Sequence, residues 1–210
     1  MTQKTAKDLL EGAYALANPD DNVAYYSDFA AIYDDSFATE MGYQSPRLIA
    51  AYLSEVIGTQ AKIADIGCGT GLVADHLAGH IIDGYDISPE MIDAACTKNT
   101  YRRFYRADLT RDLSDLPNDY DALVSAGTFT MGHLNADDLI GLLDLLRQGA
   151  WVAITISKTH FDNADFGTRL EQTVDAKLIS EPEYRPFSIY NKSGHDHSAD
   201  QGWLTRFQKA

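Results

Sequence analysis

Cysteine is scarce in this sequence, which limits the covalent links that could stabilise a fold. Two cysteines, Cys68 and Cys96, occur among 210 residues, and two thiols give little basis for a disulfide framework. A bond to Cys68 would also disturb the glycine-rich segment around it. The cysteine content therefore predicts a reducing, cytoplasmic location.

Long apolar runs and low-complexity linkers are missing too. No stretch approaches the ~20 apolar residues that cross a bilayer, and the polar start over residues 1–8 leads into no signal-peptide segment. No run rich in proline, glycine or serine divides the chain, and no repeat occurs. We therefore expect a single domain, for which 210 residues supply a full core.

Basic residues are few relative to acidic ones. The chain holds 17 lysines and arginines against 31 aspartates and glutamates, and its formal net charge is −14. Phosphate backbones and anionic membrane surfaces would be repelled unless a local basic patch compensated. The basic cluster at residues 101–106 overlaps a predicted strand, so its charges alternate between faces or form a solvated edge. We therefore expect neither nucleic acid nor a membrane as a partner.

The most informative segment that is present covers residues 63–71, Ile-Ala-Asp-Ile-Gly-Cys-Gly-Thr-Gly. It predicts a buried β-strand, a glycine-rich turn, and a helix from about residue 72. Glycines lack a Cβ and let the backbone approach a ligand, while the N–H groups of the helix point at the same place. Asp65 lies near the strand end, where open α/β sheets bind ligands. The glycines are Gly67, Gly69 and Gly71.

Neighbouring residues narrow the choice of ligand. The dinucleotide fingerprint needs a glycine where Leu72 stands, and a phosphate-binding P-loop needs a lysine that does not follow here. A second apolar run at residues 80–86 ends in Asp86 and predicts the neighbouring parallel strand. Asp86 would face the same crevice, where a carboxylate can accept hydrogen bonds from both hydroxyls of a ribose. A tight turn in some other α/β protein is the alternative.

Together with the D-x-S-x-x-M element at residues 86–91, the D-I-G-C-G-T-G segment resembles motif I of the class I S-adenosylmethionine-dependent methyltransferases. The similarity covers roughly residues 60–157. Within that family, the G-T-F-T-x-G-H run at residues 127–133 resembles the small Williams–Beuren-region-type branch. The resemblance implies an α/β fold with a Rossmann-like, seven-stranded, mostly parallel sheet, helices on both faces and an antiparallel last strand.

The alternation of strands and helices from about residue 48 to 157 also predicts a parallel sheet. Further strands are expected at residues 103–108, 120–126, 151–157, 184–190 and 203–208, the last two from the resemblance. Helices are expected at residues 46–57, 71–77, 89–98, 136–146 and 167–178. Ser88 is expected to cap the third of these, with Pro89 in its first turn. We expect residues 1–45 to form a helical cover and residues 46–210 to form the core.

The resemblance also assigns a cofactor site, with S-adenosylmethionine as methyl donor and S-adenosylhomocysteine as product. It places Asp86 on the ribose and Asp108 on the adenine amino group. Ile87 and Met91 would flank the adenine. Met91 as a core residue and Asp108 as a helix cap or turn former are the alternatives. The predicted cofactor-binding residues are Asp65, Gly67, Cys68, Gly69, Gly71, Asp86, Ile87, Met91, Asp108, Leu109, Ser125, Tyr26 and Tyr33.

Aromatic residues in the N-terminal part share one helical face, since they stand at positions 26, 29 and 33. This pattern predicts either a helix packed on the core or a lid over the cofactor. In the second case Tyr26 and Tyr33 would present their hydroxyl groups to the site.

The implied reaction is in-line methyl transfer, in which holding the nucleophile and methyl group at about 3–3.5 Å can supply much of the catalysis. His133 follows the fourth strand on the acceptor side and titrates near neutral pH, so it is the candidate catalytic base. A structural cap or surface group is the alternative. His195 and His197 lie in a turn-forming segment and are expected to be solvated, and we expect no metal site.

The methyl acceptor is less defined by sequence. After the fourth strand, residues 125–128 read Ser-Ala-Gly-Thr, where amino methyltransferases of DNA and of protein glutamine carry an N-P-P-Y-type run. We therefore expect a small-molecule acceptor and a monomer or homodimer. A protein acceptor, a non-catalytic cofactor-binding module acting through a partner, and a polyamine synthase or nicotinamide-dependent reductase are the alternatives.

Overall fold

The computed structural model describes Gly12, Tyr25 and residues 33–210, with only the backbone of residues 35–37. Most of the expected N-terminal cover, including Tyr26, therefore lies outside the described residues. From residue 33 onward, the segment expected to belong to this cover forms a π-helical stretch at Tyr33–Thr39.

One seven-stranded sheet organises the described residues, in the order β3-β2-β1-β4-β5-β7-β6. Strand β7 runs antiparallel to both of its neighbours, and the other strand pairs are parallel. This confirms the expected Rossmann-like sheet with an antiparallel last strand. The strands are β1 Lys62–Ile66, β2 Ile81–Asp86, β3 Arg103–Arg106, β4 Tyr120–Phe129, β5 Leu146–Ser157, β6 Glu183–Ser188 and β7 Gln201–Gln208.

The α-helices confirm most of the expected positions, with shifted ends. As expected, Ser88 caps the second helix: its hydroxyl accepts a hydrogen bond from the backbone N–H of Met91 at 3.3 Å. A short helix after β5, absent from the sequence-based expectations, is present as well. The helices are α1 Ser45–Ser54, α2 Pro89–Cys96, α3 Ala136–Leu142, α4 Lys158–Asn163 and α5 Phe166–Asp175.

The prediction of a helix at residues 71–77 is wrong, because only a 3₁₀ turn forms there, at Ala74–His76. The chain leaves the glycine turn with Gly71 at φ +90° and turns again at Gly79 with φ +91° before entering β2. Too few residues lie between these two turns for several helical turns. The ligand site therefore receives backbone N–H groups from the glycine turn and not from a long helix.

Successive residues of a strand point to opposite sides of the sheet. In this sheet both sides are covered by helices. Ile63 and Val124 pack in one apolar cluster with α1, on one face. Ala64 and Leu123 pack in the other cluster with α3 and α5. This arrangement confirms helices on both faces.

Strand β4 is longer than expected and irregular at its carboxyl end. The register with β5 shifts between Ser125 and Phe129, and Gly127 adopts φ +82° within this stretch. Such a bulge re-aims the side chains that follow it. The end of β4 consequently contributes Thr128 and Phe129 to the cavity described next.

Candidate functional site

A cavity lies at the carboxyl ends of β1, β2, β4 and β5 and receives residues that follow β3. Strand β1 has β2 on one side and β4 on the other, so the strand order reverses beside the cavity. Open α/β sheets bind ligands at this kind of switch point. The predicted site residues on the cavity wall are Gly67, Cys68, Gly69, Asp86, Ile87, Met91, Asp108, Leu109, Tyr33 and His133.

The glycine turn forms one wall of the cavity with bare backbone. Gly67 and Gly69 adopt φ +63° and φ +52°, a region that favours glycine. A Cβ on Gly67 would lie 2.1 Å from the hydroxyl oxygen of Thr128, so this glycine allows β4 to pack closely. A Cβ on Gly69 would meet no atom within 4 Å. Gly69 therefore exposes its backbone to whatever occupies the cavity.

Asp86 ends β2 and connects that strand to the glycine turn. One carboxylate oxygen accepts a hydrogen bond from the backbone N–H of Gly69 at 2.8 Å, and the other accepts from Ser88 at 2.9 Å. Burial raises the pKa of Asp86 despite these bonds. Each oxygen has a further lone pair, so the carboxylate can still accept hydrogen bonds from a ligand.

Asp108 follows β3, where it forms a turn and lines the cavity. Its carboxylate accepts hydrogen bonds from the Thr110 hydroxyl at 2.7 Å and from Arg111 Nε at 2.7 Å, so it does form a turn. Burial opposes its ionisation, but these hydrogen bonds outweigh that effect and lower the pKa of Asp108. Asp108 also lines the cavity as an ionised group.

Three predicted residues lie behind the cavity wall. Asp65 accepts a hydrogen bond from the Tyr101 hydroxyl at 2.7 Å, and burial raises its pKa to about 7. A Cβ on Gly71 would come within 3.0 Å of the Tyr101 ring. Ser125 donates a hydrogen bond to the carbonyl oxygen of Ile66 at 2.7 Å. The structure therefore places these residues where they support the glycine turn.

His133 lies on the cavity wall, in the loop after β4. Its Nδ1 lies 3.1 Å from the carbonyl oxygen of Met131. A carbonyl oxygen only accepts, so Nδ1 carries the proton and Nε2 carries the lone pair that a base needs. Burial lowers the pKa of His133, which keeps the ring neutral at pH 7. His160, by contrast, is buried with its Nε2 against the carbonyl oxygen of Leu134 at 2.9 Å.

An aromatic wall was missed by the sequence reasoning. Tyr43, Phe187 and Tyr190 line the cavity beside Tyr33. The Tyr43 and Tyr190 rings lie 5.9 Å apart, and burial raises the pKa of Tyr43 to about 12. These side chains come from opposite ends of the chain, so no local pattern identifies them.

Among the residues that the structure describes, no group of three or more His, Cys, Asp or Glu could hold a metal ion. His197, in the turn-forming segment, lies with its Nδ1 2.9 Å from an Asp200 oxygen. None of the helices within residues 33–210 is long and apolar enough to span a membrane.

The strand order, the glycine turn and the acidic end of β2 define a Rossmann-like protein whose site suits a nucleoside-containing cofactor. Comparison with known proteins shows which family this Rossmann-like chain belongs to. A family model for a methyltransferase domain matches residues 63–165. Human methyltransferase-like protein 27 is 28% identical over 173 residues, covering 79% of this chain and 69% of that protein. The TehB-like methyltransferase structure from Corynebacterium glutamicum superposes with a TM-score of 0.62 at 24% identity, covering 89% of this chain and 99% of that one.

Shorter similarities point to enzymes with different acceptors. Bovine 18S rRNA (guanine-N(7))-methyltransferase is 40% identical over 65 residues, which cover 30% of this chain and 23% of that protein. Trans-aconitate 2-methyltransferase of Mycobacterium tuberculosis (strain ATCC 25177 / H37Ra) is 33% identical over 99 residues, 45% of this chain and 36% of that protein. The chain belongs to the class I S-adenosylmethionine-dependent methyltransferases and is an enzyme that uses this cofactor. The narrower branch suggested by residues 127–133 stays a prediction.

Proposed function

We propose that this enzyme transfers the methyl group of S-adenosylmethionine to a small-molecule acceptor held in the same cavity. One observation carries the proposal: the glycine turn with Asp86 and the aromatic wall with His133 line a single cavity. The glycine turn and Asp86 suit the methyl donor. The aromatic wall and His133 provide a separate surface for the acceptor. Donor and acceptor would then meet without solvent between them.

The cofactor half would be built from the groups that end β1, β2 and β3. Asp86 has oxygen lone pairs for the ribose hydroxyls, and Asp108 has them for the adenine amino group. Ile87, Met91 and Leu109 give the adenine an apolar setting. Exposed backbone at Gly69 lets the methionine part approach closely. When bound, the cofactor supplies a methyl group already activated by its sulfonium.

His133 would serve as the general base for an acceptor that carries a proton on its nucleophilic atom. The Met131 carbonyl holds the proton on Nδ1, so Nε2 is the atom that would accept the acceptor's proton. A neutral ring at pH 7 is the competent form of a base. The lowered pKa of His133 favours that form.

An RNA acceptor is the competing class, given the similarity to an rRNA methyltransferase over 65 residues. The net charge of −14 opposes it, because binding to a phosphate backbone depends on cationic side chains. In the basic cluster at residues 101–106, Arg102 is already paired with the buried Asp83, its Nε lying 2.9 Å from a carboxylate oxygen. Similarity to a methyltransferase named for trans-aconitate supports a small-molecule acceptor instead.

Calorimetry with S-adenosylmethionine, S-adenosylhomocysteine and NAD tests the donor half. We expect the first two to bind and NAD to fail. Asp86→Ala should lose most of the affinity, whereas Asp93→Ala, an exposed position in α2, is the matched control and should bind like the wild type. Wild-type affinity in Asp86→Ala would refute the ribose assignment.

A labelled-methyl assay on a cell extract tests the acceptor half. The extract is separated by size before the reaction, into metabolites and macromolecules. We expect label in the metabolite fraction. Label confined to RNA or protein would overturn the proposed acceptor class. Cofactor binding with no labelled product in either fraction would favour a non-catalytic binding module.

A further inference from the structure

We infer that the acceptor is an uncharged, mainly apolar molecule, and that the cavity discriminates against anionic acceptors. The inference rests on the proposed function, since it concerns the acceptor half of that cavity. Apolar side chains dominate this half. They are Phe129, Leu134, Ile156, Phe187, Ile189 and Tyr190.

The polar groups on this wall are neutral, and several are already used within the protein. Thr128 donates its hydroxyl to the carbonyl oxygen of Ile66 at 3.2 Å, and the Thr155 hydroxyl accepts from the backbone N–H of Gly127 at 2.9 Å. His133 is neutral at pH 7 because burial lowers its pKa. The described residues of this wall can therefore orient an uncharged polar group, but they supply no positive charge to balance a carboxylate or phosphate.

None of the described residues that line the cavity is a lysine or an arginine, and two cations nearby are paired with carboxylates. Arg111 lies 2.7 Å from Asp108, at the end of the cavity proposed for the adenine. Lys98 lies 2.7 Å from Asp34 and 2.9 Å from Asp75. An ionised acceptor that enters an apolar site without a charged partner loses its hydration without an equivalent gain.

The net charge of the whole chain acts in the same direction. At −14 the protein repels anions during encounter and lowers their local concentration. The N-terminal residues 1–32 do not offset this, since they carry Lys4 and Lys7 against five acidic residues. A cationic acceptor would be attracted to the surface but would then have to approach the positive sulfonium at bonding distance. An uncharged acceptor avoids both penalties.

The test separates the acceptors by charge before they are offered to the enzyme, because methylation of a carboxylate would itself remove a charge. A metabolite extract is passed over an anion exchanger and then a cation exchanger, and each fraction is incubated with the full-length enzyme and labelled S-adenosylmethionine. We expect at least ten times more label from the uncharged fraction than from either charged fraction. Predominant labelling of the anionic or the cationic fraction would overturn the inference while leaving the proposed function intact.

Failure of the proposed function itself gives a different result. If calorimetry detects no cofactor binding, or if label enters macromolecules alone, the proposed function falls and this inference falls with it. Label from the small-molecule fractions keeps the proposed function and leaves only the charge preference to be decided.

A pair of variants tests whether the cavity causes the preference. Thr130, half-buried in the loop after β4, lines the cavity and can be replaced by a cationic or a neutral side chain of similar length. Thr130→Lys should raise the anionic share of the total label at least tenfold. Thr130→Gln should leave that share unchanged, whatever happens to the rate. Equal shares in the two variants would show that the wall does not set the preference, and would contradict the inference.

Discussion

Asp65 shows at the scale of one residue how the site is supported from behind. Its side chain is fully buried at the end of β1, and one oxygen accepts from Tyr101 while the other finds no partner among the described residues. Burial, reinforced by the charge of Asp86, raises its pKa from 3.8 to about 7. Keeping this carboxyl ionised in the folded protein therefore costs free energy.

Asp65→Asn should change how stability depends on pH. The folded protein holds a proton on Asp65 between pH 4 and 7, where the unfolded chain has lost it, so the wild type loses stability as pH rises through this window. Asparagine keeps an acceptor oxygen for Tyr101 and does not titrate. Urea unfolding at pH 5, 6.5 and 8 should show the variant gaining on the wild type by about 2.5 kcal/mol between the lowest and the highest pH. An identical pH dependence would contradict the raised pKa.

His133 yields the second prediction at this scale. If Nε2 accepts the acceptor's proton, His133→Gln should lower kcat by roughly 10²–10⁴-fold with little change in cofactor affinity. Wild-type kcat should fall as pH drops through the lowered pKa of His133, because the ring is then protonated. The variant should lack this acid limb. The exposed His76 provides the control, and a His133→Gln profile that retains the limb would show that another group is the base.

At the scale of elements, the π-helical segment Tyr33–Thr39 is tied directly to the glycine turn. Asp34 accepts a hydrogen bond from the Thr70 hydroxyl and forms an ion pair with Lys98, at the end of α2, at 2.7 Å. Thr70 belongs to the glycine turn and Tyr33 lines the cavity. Asp34 therefore couples the position of this segment to the turn that would hold the cofactor.

Asp34→Asn should weaken cofactor binding without abolishing it. Losing the ion pair and weakening the bond to Thr70 should cost about 1 kcal/mol, a roughly fivefold rise in Kd for S-adenosylmethionine. Asp75→Asn removes the other ion pair of Lys98 but leaves the Asp34 contacts, so it is the control. In a double-mutant cycle with Thr70→Val the two losses should be less than additive. Full additivity would mean that Asp34 does not act through Thr70.

The same elements show which parts of the fold and of the site can be predicted from sequence patterns. The glycine turn, Asp86 and Asp108 were predictable because strand, turn and acidic end lie within a few residues of one another. The helix expected at residues 71–77 failed because φ angles at two glycines, and not side-chain periodicity, decide that stretch. The aromatic wall could not be predicted from local sequence patterns, since Tyr43 and Tyr190 are brought together by an isolated antiparallel bridge between distant parts of the chain.

Across the whole molecule, the C-terminal part completes a site that the central part begins. Strand β7 inserts between β5 and β6, so β6 stays attached to the sheet only through β7. Phe187 on β6 lines the cavity and packs against Gly202 on β7, where a Cβ would lie 2.8 Å from its ring. The antiparallel direction of the last strand followed from the family resemblance, whereas its place between β5 and β6 and the contacts that fix it depend on residues far apart in sequence.

Arg206 connects elements that lie far apart in the sequence. Its buried guanidinium donates to the carbonyl oxygen of Tyr52 at 2.9 Å and to Glu183 at 2.8 Å, and it lies 4.1 Å from the centre of the Tyr52 ring. It therefore joins α1, β6 and β7.

Arg206→Leu should lower the free energy of unfolding by about 3 kcal/mol, because it removes several charge-assisted hydrogen bonds from a desolvated position. Arg206→Lys should recover only part of this loss, since an ammonium cannot reproduce the planar fork of the guanidinium. Arg185→Leu removes an exposed guanidinium paired with Glu55 and should destabilise much less. Urea unfolding measures all three. An Arg206→Leu protein as stable as the wild type would mean that strand pairing alone holds the antiparallel edge, and with it Phe187, against the cavity.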